Sequence, residues 1–354
     1  MKKRLISLLL VLCLCTAALV GCGGKKEKAD IFYYTFSDTY ISSVRTALKK
    51  ELSDRGLSTS DYDGAGSQTT QTEQVRTALT GGAKALLVNI VNTGSDDAAT
   101  EIVNLAKNAG VPLIFFNREV SDSIISSYDQ CAFVGTKAEE AGMLQGEMIG
   151  EYLLAHYDEL DLNGDERISY ILFKGEEGNN EAIYRTKYSV EKANEMLMAA
   201  GKKPLRFYDE NNKNEYLVDK NGQWSAAAAN EYMTTALTTN NTANKNMIEL
   251  VICNNDGMAE GAISALNAAG YNTGAGSPTI PVFGVDATEA AVALIRDGKM
   301  TGTVKQDAAG MAKALALLAA NAAEGKALMD GTDAFSVDES VRKIRIPYAK
   351  YFGE

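Results

Sequence analysis

Ala85-Leu86-Leu87-Val88-Asn89-Ile90 is followed by a helical stretch at 96–109, by Gly110, and by Val111-Pro112-Leu113-Ile114-Phe115-Phe116. Both apolar runs are continuous, not alternating. Strands of that kind are buried on both faces, which is the habit of parallel sheets covered by helices. Parallel neighbours need a long crossover, and the helix between the runs supplies one.

The same alternation extends in both directions. Upstream lie a β-rich run at 31–34, a helix at 41–55 with apolar residues at 41, 44, 48 and 52, and a helix at 68–79 that ends at Gly81-Gly82. Downstream, strands at 132–134, 168–173, 248–252, 280–283 and 302–304 alternate with helices at 137–155, 181–200, 257–269, 287–297 and 308–323. A βαβα order predicts an α/β fold with parallel sheets covered on both sides. One internal echo points to two related lobes. Val111-Pro-Leu-Ile-Phe-Phe-Asn117 and Ile280-Pro-Val-Phe-Gly-Val-Asp286 are both strands opened near a proline and closed by Asn or Asp.

The chain has 354 residues and a net charge of 35 − 46 = −11. Two domains are expected at roughly 100–200 residues each. An apolar fraction of 45% and a charged fraction of 23% exclude disorder for the bulk of the chain and a polytopic membrane protein. Nucleic-acid binding needs a basic footprint, which an acidic chain lacks.

Met1-Lys2-Lys3-Arg4 opens the chain, and an apolar run from Leu5 to Val20 follows. The run is too short for a membrane span, which needs ~20 residues. Leu19-Val20-Gly21-Cys22 then resembles a bacterial lipobox, with cleavage before Cys22 and lipidation of it; the other reading is a plain secretory signal. Cleavage leaves 354 − 21 = 333 residues and a charge of 32 − 46 = −14. Cys131 and Cys253 open onto apolar strands and read as buried small hydrophobes.

Polar residues collect where the strands end. Asp38, Asn117, the segment Lys174–Glu181 with Asn179, then Asn254-Asn255-Asp256, Asp286 and Lys305-Gln306-Asp307 each follow a strand. Ligands of open parallel sheets bind outside these carboxyl ends. Asn and Asp there also cap helices, and for any one residue both readings stand. Capping does not call for Arg185, one turn beyond Glu181. Amides, carboxylates and a guanidinium together suit a polyhydroxylated ligand. Tyr40 and Trp224 offer flat apolar faces to a sugar ring, or pack in the core.

Asp161-Leu-Asn163-Gly-Asp165-Glu-Arg167-Ile-Ser169 places oxygen donors at positions 1, 3 and 5 of a tight loop, the opening of a Ca²⁺ loop. Position 12 is Leu172 and position 6 is Glu166, so an EF-hand is not expected. A Ca²⁺ loop closed by a distant carboxylate and an acidic Asn-Gly turn both remain open. No phosphate-loop, HExxH, GxSxG or CxxC motif occurs, so no catalytic residue is assigned and an enzyme is not expected.

From about Asp30 to Pro347 the chain resembles the galactose/glucose-binding proteins of bacterial sugar ABC transporters, within the type I periplasmic binding proteins. The resemblance rests on Tyr34-x-x-x-Asp38-x-Tyr40, Phe115-Phe-Asn117-Arg-Glu119, Gln145-Gly146 and Asp161-Leu-Asn-x-Asp165. It rests also on Lys174-Gly-Glu-x-Gly178 with Arg185-Thr186, Asn254-Asn-Asp256-x-Met-Ala259 and Pro281-Val-Phe-Gly-Val-Asp-Ala287. It implies two Rossmann-like lobes that close over one sugar and are joined by a hinge of three crossings. The expected division is a signal peptide at 1–21, a lipidated linker at 22–29, a first lobe at 30–137 plus 307–344, and a second at 138–306 plus 345–354.

Carried over by position, Asp38, Asn117, Arg185, Asn255 and Asp286 would bond the sugar hydroxyls, and Trp224 would stack on the ring. Tyr40 replaces a Phe, Asn179 and Glu181 replace a His and an Asp, and Gln306 replaces a hinge Asn. The family's structural Ca²⁺ would be held by Asp161, Asn163, Asp165, the Arg167 carbonyl, Ser169 and Glu249. The expected function is capture of D-galactose or D-glucose by hinge closure and delivery to an ABC permease. The protein would be an extracytoplasmic, lipid-anchored monomer; a chemoreceptor is a candidate second partner, and the sequence does not decide whether one reads the closed state. Another monosaccharide, such as a pentose or a signalling sugar, is the alternative within the fold; a carbohydrate-active surface enzyme is the alternative outside it.

Overall fold

A computed structural model describes residues 28–338 and 340–353. The expected signal peptide and the lipidation site Cys22 lie outside the described residues. The first lobe opens with β1 (Lys28–Tyr33), α1 (Thr39–Asp54), β2 (Ser58–Asp63), α2 (Gln68–Thr80), β3 (Leu86–Val88) and α3 (Asp97–Ala109). It continues with β4 (Leu113–Phe116), a short α4 (Asp122–Ser126) and β5 (Cys131–Gly135). The second lobe is built from α5 (Ala138–Leu160), β6 (Ser169–Lys174), α6 (Asn180–Ala199), β7 (Arg206–Phe207) and β8 (Leu217–Val218). Then come α7 (Ala226–Thr239), β9 (Leu250–Cys253), α8 (Asp256–Ala268), β10 (Val282–Asp286), α9 (Glu289–Arg296) and β11 (Gly302–Gln306). The chain returns to the first lobe with α10 (Ala308–Ala323), β12 (Ser336–Asp338) and β13 (Lys343–Arg345), and crosses again to β14 (Tyr348–Tyr351).

The first sheet runs β2-β1-β3-β4-β5-β13-β12 and the second β7-β6-β9-β10-β11-β14, with β8 beside β6. Both lobes therefore share one winding order, and β4 and β10 hold equivalent places in it. The sequence echo of 111–117 and 280–286 falls on these two strands. Asn117 and Asp286, which follow or end them, both turn with positive φ, 62° and 128°.

Burial on both faces explains the continuous apolar runs. Along β1, Ile31 and Tyr33 join Val44, Leu48, Met311 and Leu315 under α1 and α10. Phe32 points the other way, to Val75, Ile102 and Val103 under α2 and α3. The second sheet is likewise covered by α7 and α8 on one face and α5 and α6 on the other. Truncating a ring such as Phe32 to Ala would cost about 3–5 kcal/mol. Cys131 and Cys253 are free and buried.

Two boundaries differ from the sequence reading. Lys28 and Ala29, assigned to the linker, already pair with Ser58 and Thr59. Arg345, assigned to the second lobe, pairs with Gly135 in the first sheet, so the third crossing falls just after it. Strand pairing decides both ends, and it leaves no trace in composition. The three crossings lie between β5 and α5, between β11 and α10, and between β13 and β14.

Candidate functional site

One cavity of about 370 Å³ lies between the lobes at the carboxyl ends of the strands. All ten residues expected to touch a sugar line it: Asp38, Tyr40, Asn117, Asn179, Glu181, Arg185, Trp224, Asn255, Asp286 and Gln306. Tyr34, Ile41 and Arg118 complete the lining.

Capping and ligand-facing roles coincide in the same side chains. Asp38 Oδ1 accepts the Ile41 N–H at 2.7 Å and so caps α1, while Oδ2 accepts the Tyr34 hydroxyl at 2.6 Å. Asn179 caps α6 through the Ala182 N–H at 3.2 Å and donates its amide to Thr93 Oγ1 in the other lobe at 3.3 Å. Asn255 caps α8 through the Met258 N–H at 2.9 Å and donates to the Trp224 carbonyl at 3.3 Å. Asn117 accepts from the Asn89 amide at 3.2 Å. Tyr40 directs its hydroxyl to the Met311 sulfur at 3.8 Å and keeps its ring at the cavity wall.

Arg185 is the hub. Its Nη1 donates to the Asn254 carbonyl at 2.8 Å, and its Nη2 to Gln306 Oε1 at 3.1 Å and the Tyr348 hydroxyl at 3.0 Å. Asp286 Oδ1 stands 3.9 Å from Nη1. Burial alone would depress the guanidinium, but Tyr348, Asp286 and Glu181 around it hold it protonated. Burial pushes the Asp286 carboxyl well above the usual range, Asp256 and Asp38 add to that, and Arg185 opposes it. Burial also raises Glu181, again against Arg185.

Four polar atoms of the lining find no partner in the protein although they are buried: Glu181 Oε1, Arg185 Nε, Gln306 Nε2 and Arg118 Nε. An unpaired buried polar group costs about 1–3 kcal/mol, so these atoms mark where an absent polar partner would bond.

Trp224 stands with φ 54° at the lip, and its indole lies against Gly175. A Cβ at 175 would sit 2.1 Å from the ring, so only glycine lets the indole lie there. Trp224 Nε1 donates to Glu176 Oε2 at 3.3 Å. The same carboxylate forms an ion pair with Arg118 of the first lobe, whose guanidinium lies over the Tyr34 ring, 4.3 Å from its centroid. This ion pair and the Asn179–Thr93 bond tie the two lobes in a closed arrangement. The sequence reading assigned neither Arg118 nor Tyr34 to the site. Arg118 directly follows Asn117, and Tyr34 stands four residues before Asp38; the quoted motifs contained both signals.

The expected Ca²⁺ ligands come together at the opposite end of β6, but as a hydrogen-bonded loop. Asp161 accepts the backbone N–H groups of Gly164, Asp165 and Glu166 at 2.9, 3.1 and 2.9 Å. Asn163 Oδ1 accepts from the Met247 N–H at 2.6 Å. The two Glu249 oxygens accept from the Asn163 and Ser169 N–H groups, both at 2.8 Å. Ser169 donates its hydroxyl to the Met247 carbonyl at 2.5 Å. Arg167 gives its N–H to Asp165 Oδ1 at 3.1 Å, and the Arg206 guanidinium pairs with Asp165 Oδ2 at 2.7 Å. Among the described residues no group of three or more His, Cys, Asp or Glu is placed to hold a metal ion. The oxygens are engaged by N–H donors, and a guanidinium supplies the positive charge.

Comparison with known proteins agrees with this architecture. The periplasmic binding protein domain family matches residues 30–327. The D-galactose/methyl-galactoside binding periplasmic protein of Haemophilus influenzae is 34% identical over 323 residues, 91% of this chain and 88% of the relative. A putative rhizopine-binding protein of Rhizobium meliloti is 27% identical over 98% of this chain and 95% of its own length. Among solved structures, a solute-binding protein of an ABC transporter from Bacillus halodurans with bound myo-inositol superposes with a TM-score of 0.69 at 24% identity. It covers 94% of this chain and 96% of its own. One from Clostridium phytofermentans with bound β-D-glucose gives 0.71 at 18% identity, over 92% and 94%. At these identities the structural likeness speaks for the fold.

Proposed function

The chain belongs to the periplasmic binding protein family, and we propose that it captures one monosaccharide between its lobes and delivers it to an ABC permease. The observation that carries this reading is the set of four buried, unpartnered polar atoms on residues that line the cavity between the lobes. Asp38, Asn117 and Arg118 come from the first lobe, and Glu181, Arg185, Asn255 and Asp286 from the second. A ligand that bonds both sets stabilises the closed form over the open one by its extra contacts. Carboxylates accept from ring hydroxyls, the arginines donate to ring and hydroxyl oxygens, and Trp224 offers an apolar face to ring C–H groups.

D-Galactose or D-glucose is the first choice, supported by the relative from Haemophilus influenzae. Asn179 spends one bond of its carbonyl on a cap and one of its amide on Thr93, and Glu181 beside it keeps Oε1 without a partner. The proposal includes export and anchoring through a lipid on Cys22, which mass analysis of the N-terminal peptide from membranes would test.

Calorimetric titration with D-galactose, D-glucose, D-xylose, D-ribose and myo-inositol is the test. One-site binding of a hexose with a Kd of about 1 µM or tighter is expected. Binding of another sugar alone would keep the function and move the specificity. Silence with all five overturns the reading.

A further inference from the structure

Behind the cavity lies a carboxylate that touches no part of it. Asp256, at the first turn of α8, is fully buried. Among the described residues no lysine or arginine pairs with it; Glu260 on its own helix, Asp286 on β10 and Cys253 on β9 are the titratable groups that feel its charge. Burial pushes its carboxyl up to about 7, against hydrogen bonds from Thr303 and Thr288. A lone buried acid is costly, so its retention calls for a use.

Its two bonds indicate the use. Oδ2 accepts the Thr288 N–H at 2.8 Å, and Oδ1 accepts the Thr303 hydroxyl at 2.6 Å. Thr303 Oγ1 in turn accepts the Ala287 N–H at 3.4 Å. The residues so tethered follow directly on Asp286, where the backbone takes positive φ twice, 128° at Asp286 and 56° at Ala287. Non-glycine residues hold such a turn only when their surroundings impose it. Gly284 makes room for the device, since a Cβ there would lie 2.3 Å from Asp256 Oδ1.

We propose that Asp256 is a positioning residue for the binding site: with Thr303 it pins the 286–288 turn and so aims the Asp286 carboxylate into the cavity. The inference rests on the reading of Asp286 as a sugar ligand. Its mechanical half, the pinned turn, can be tested without any sugar.

In Asp256→Ala both carboxylate acceptors are gone, and the Thr288 N–H and the Thr303 hydroxyl lose their partner. Hydrogen exchange of the Ala287 and Thr288 amides should rise by about tenfold or more, with β4 of the other lobe unchanged. Affinity for whichever sugar binds the unaltered protein should fall by about tenfold or more, and in an Asp286→Asn background the same change should cost nothing further. A generally loosened fold would lower affinity in both backgrounds and speed exchange throughout. Unchanged Thr288 exchange, or affinity losses that add, overturns the proposal. If Asp256→Ala does not fold, Thr303→Val removes the hydroxyl that joins Ala287 to Asp256, and exchange is then read at Ala287 alone. If no sugar binds the unaltered protein, the sugar reading fails, and the exchange result alone decides the pinned turn.

Discussion

Two polar clusters sit at the two ends of β6, and they differ in one respect. At its start, the loop Asp161–Ser169 with Glu249 has its carboxylates engaged by backbone N–H groups and Arg206. At its far end, Glu181, Arg185, Gln306 and Arg118 keep polar atoms that no protein group meets. Both clusters read alike in sequence, as Asn, Asp, Glu and Arg between strand and helix. Carboxylates met by protein donors are scaffold, whereas buried polar atoms without a partner on residues that line a cavity anticipate a ligand; Arg167 Nε in the loop is also unpartnered but lines no such cavity.

The largest test of that contrast is Arg185→Ala. It strips Asp286 of its nearby cation and leaves the Asn254 carbonyl, Gln306 and Tyr348 without their donor. A loss of about 3–5 kcal/mol in denaturant unfolding is expected, with sugar binding abolished. Retained binding would remove Arg185 from the site. Asp38→Ala comes next. Binding should weaken by about 2–5 kcal/mol, read by calorimetry. The lost cap should take only about 1 kcal/mol of stability. Equal affinity in the variant would break the assignment of Asp38.

The scaffold end predicts the reverse pattern. Glu249→Gln exchanges one of two backbone acceptors for a donor and should cost about 1–3 kcal/mol of stability with sugar affinity unchanged. A fall in affinity would mean that the two ends are coupled. Glu176→Gln weakens the tie between the lobes, and its partly exposed ion pair calls for a small effect. Affinity should drop by about fivefold or less, with the change in the dissociation rate. The smallest effect is expected from a chelator. Excess EDTA should move the melting temperature by less than about 1 °C, because N–H donors and Arg206 already engage the oxygens of the loop. A clear drop would show that the loop takes up Ca²⁺ by turning its oxygens inward.

Much of the architecture was legible because burial on both faces writes itself as continuous apolar runs. Asp38, Asn117, Asn179, Asn255, Asp286 and Gln306 were legible because parallel strands present their carboxyl ends on one side; Tyr40, Arg185 and Trp224 were read from side-chain chemistry and the family resemblance. The edge strand β2, Ser-Thr-Ser-Asp-Tyr-Asp, was not, since its residues are half-buried and polar. The alanine-rich α7 was also missed. It buries only Ala229, Met233 and Ala236, so its apolar period is faint.

The sequence by itself determined the alternation of strands and helices, the internal echo and the side of the sheets where a ligand binds. Those features follow from periodicity and chain order, which are local. Only the tertiary structure decided which polar atoms remain free. Asn179 engages its amide across the lobes, Asp161 folds onto its own backbone, and Arg118 arrives from one lobe to pair with Glu176 of the other. Hydrogen-bond satisfaction depends on partners as far as 271 residues apart, and no local pattern records it.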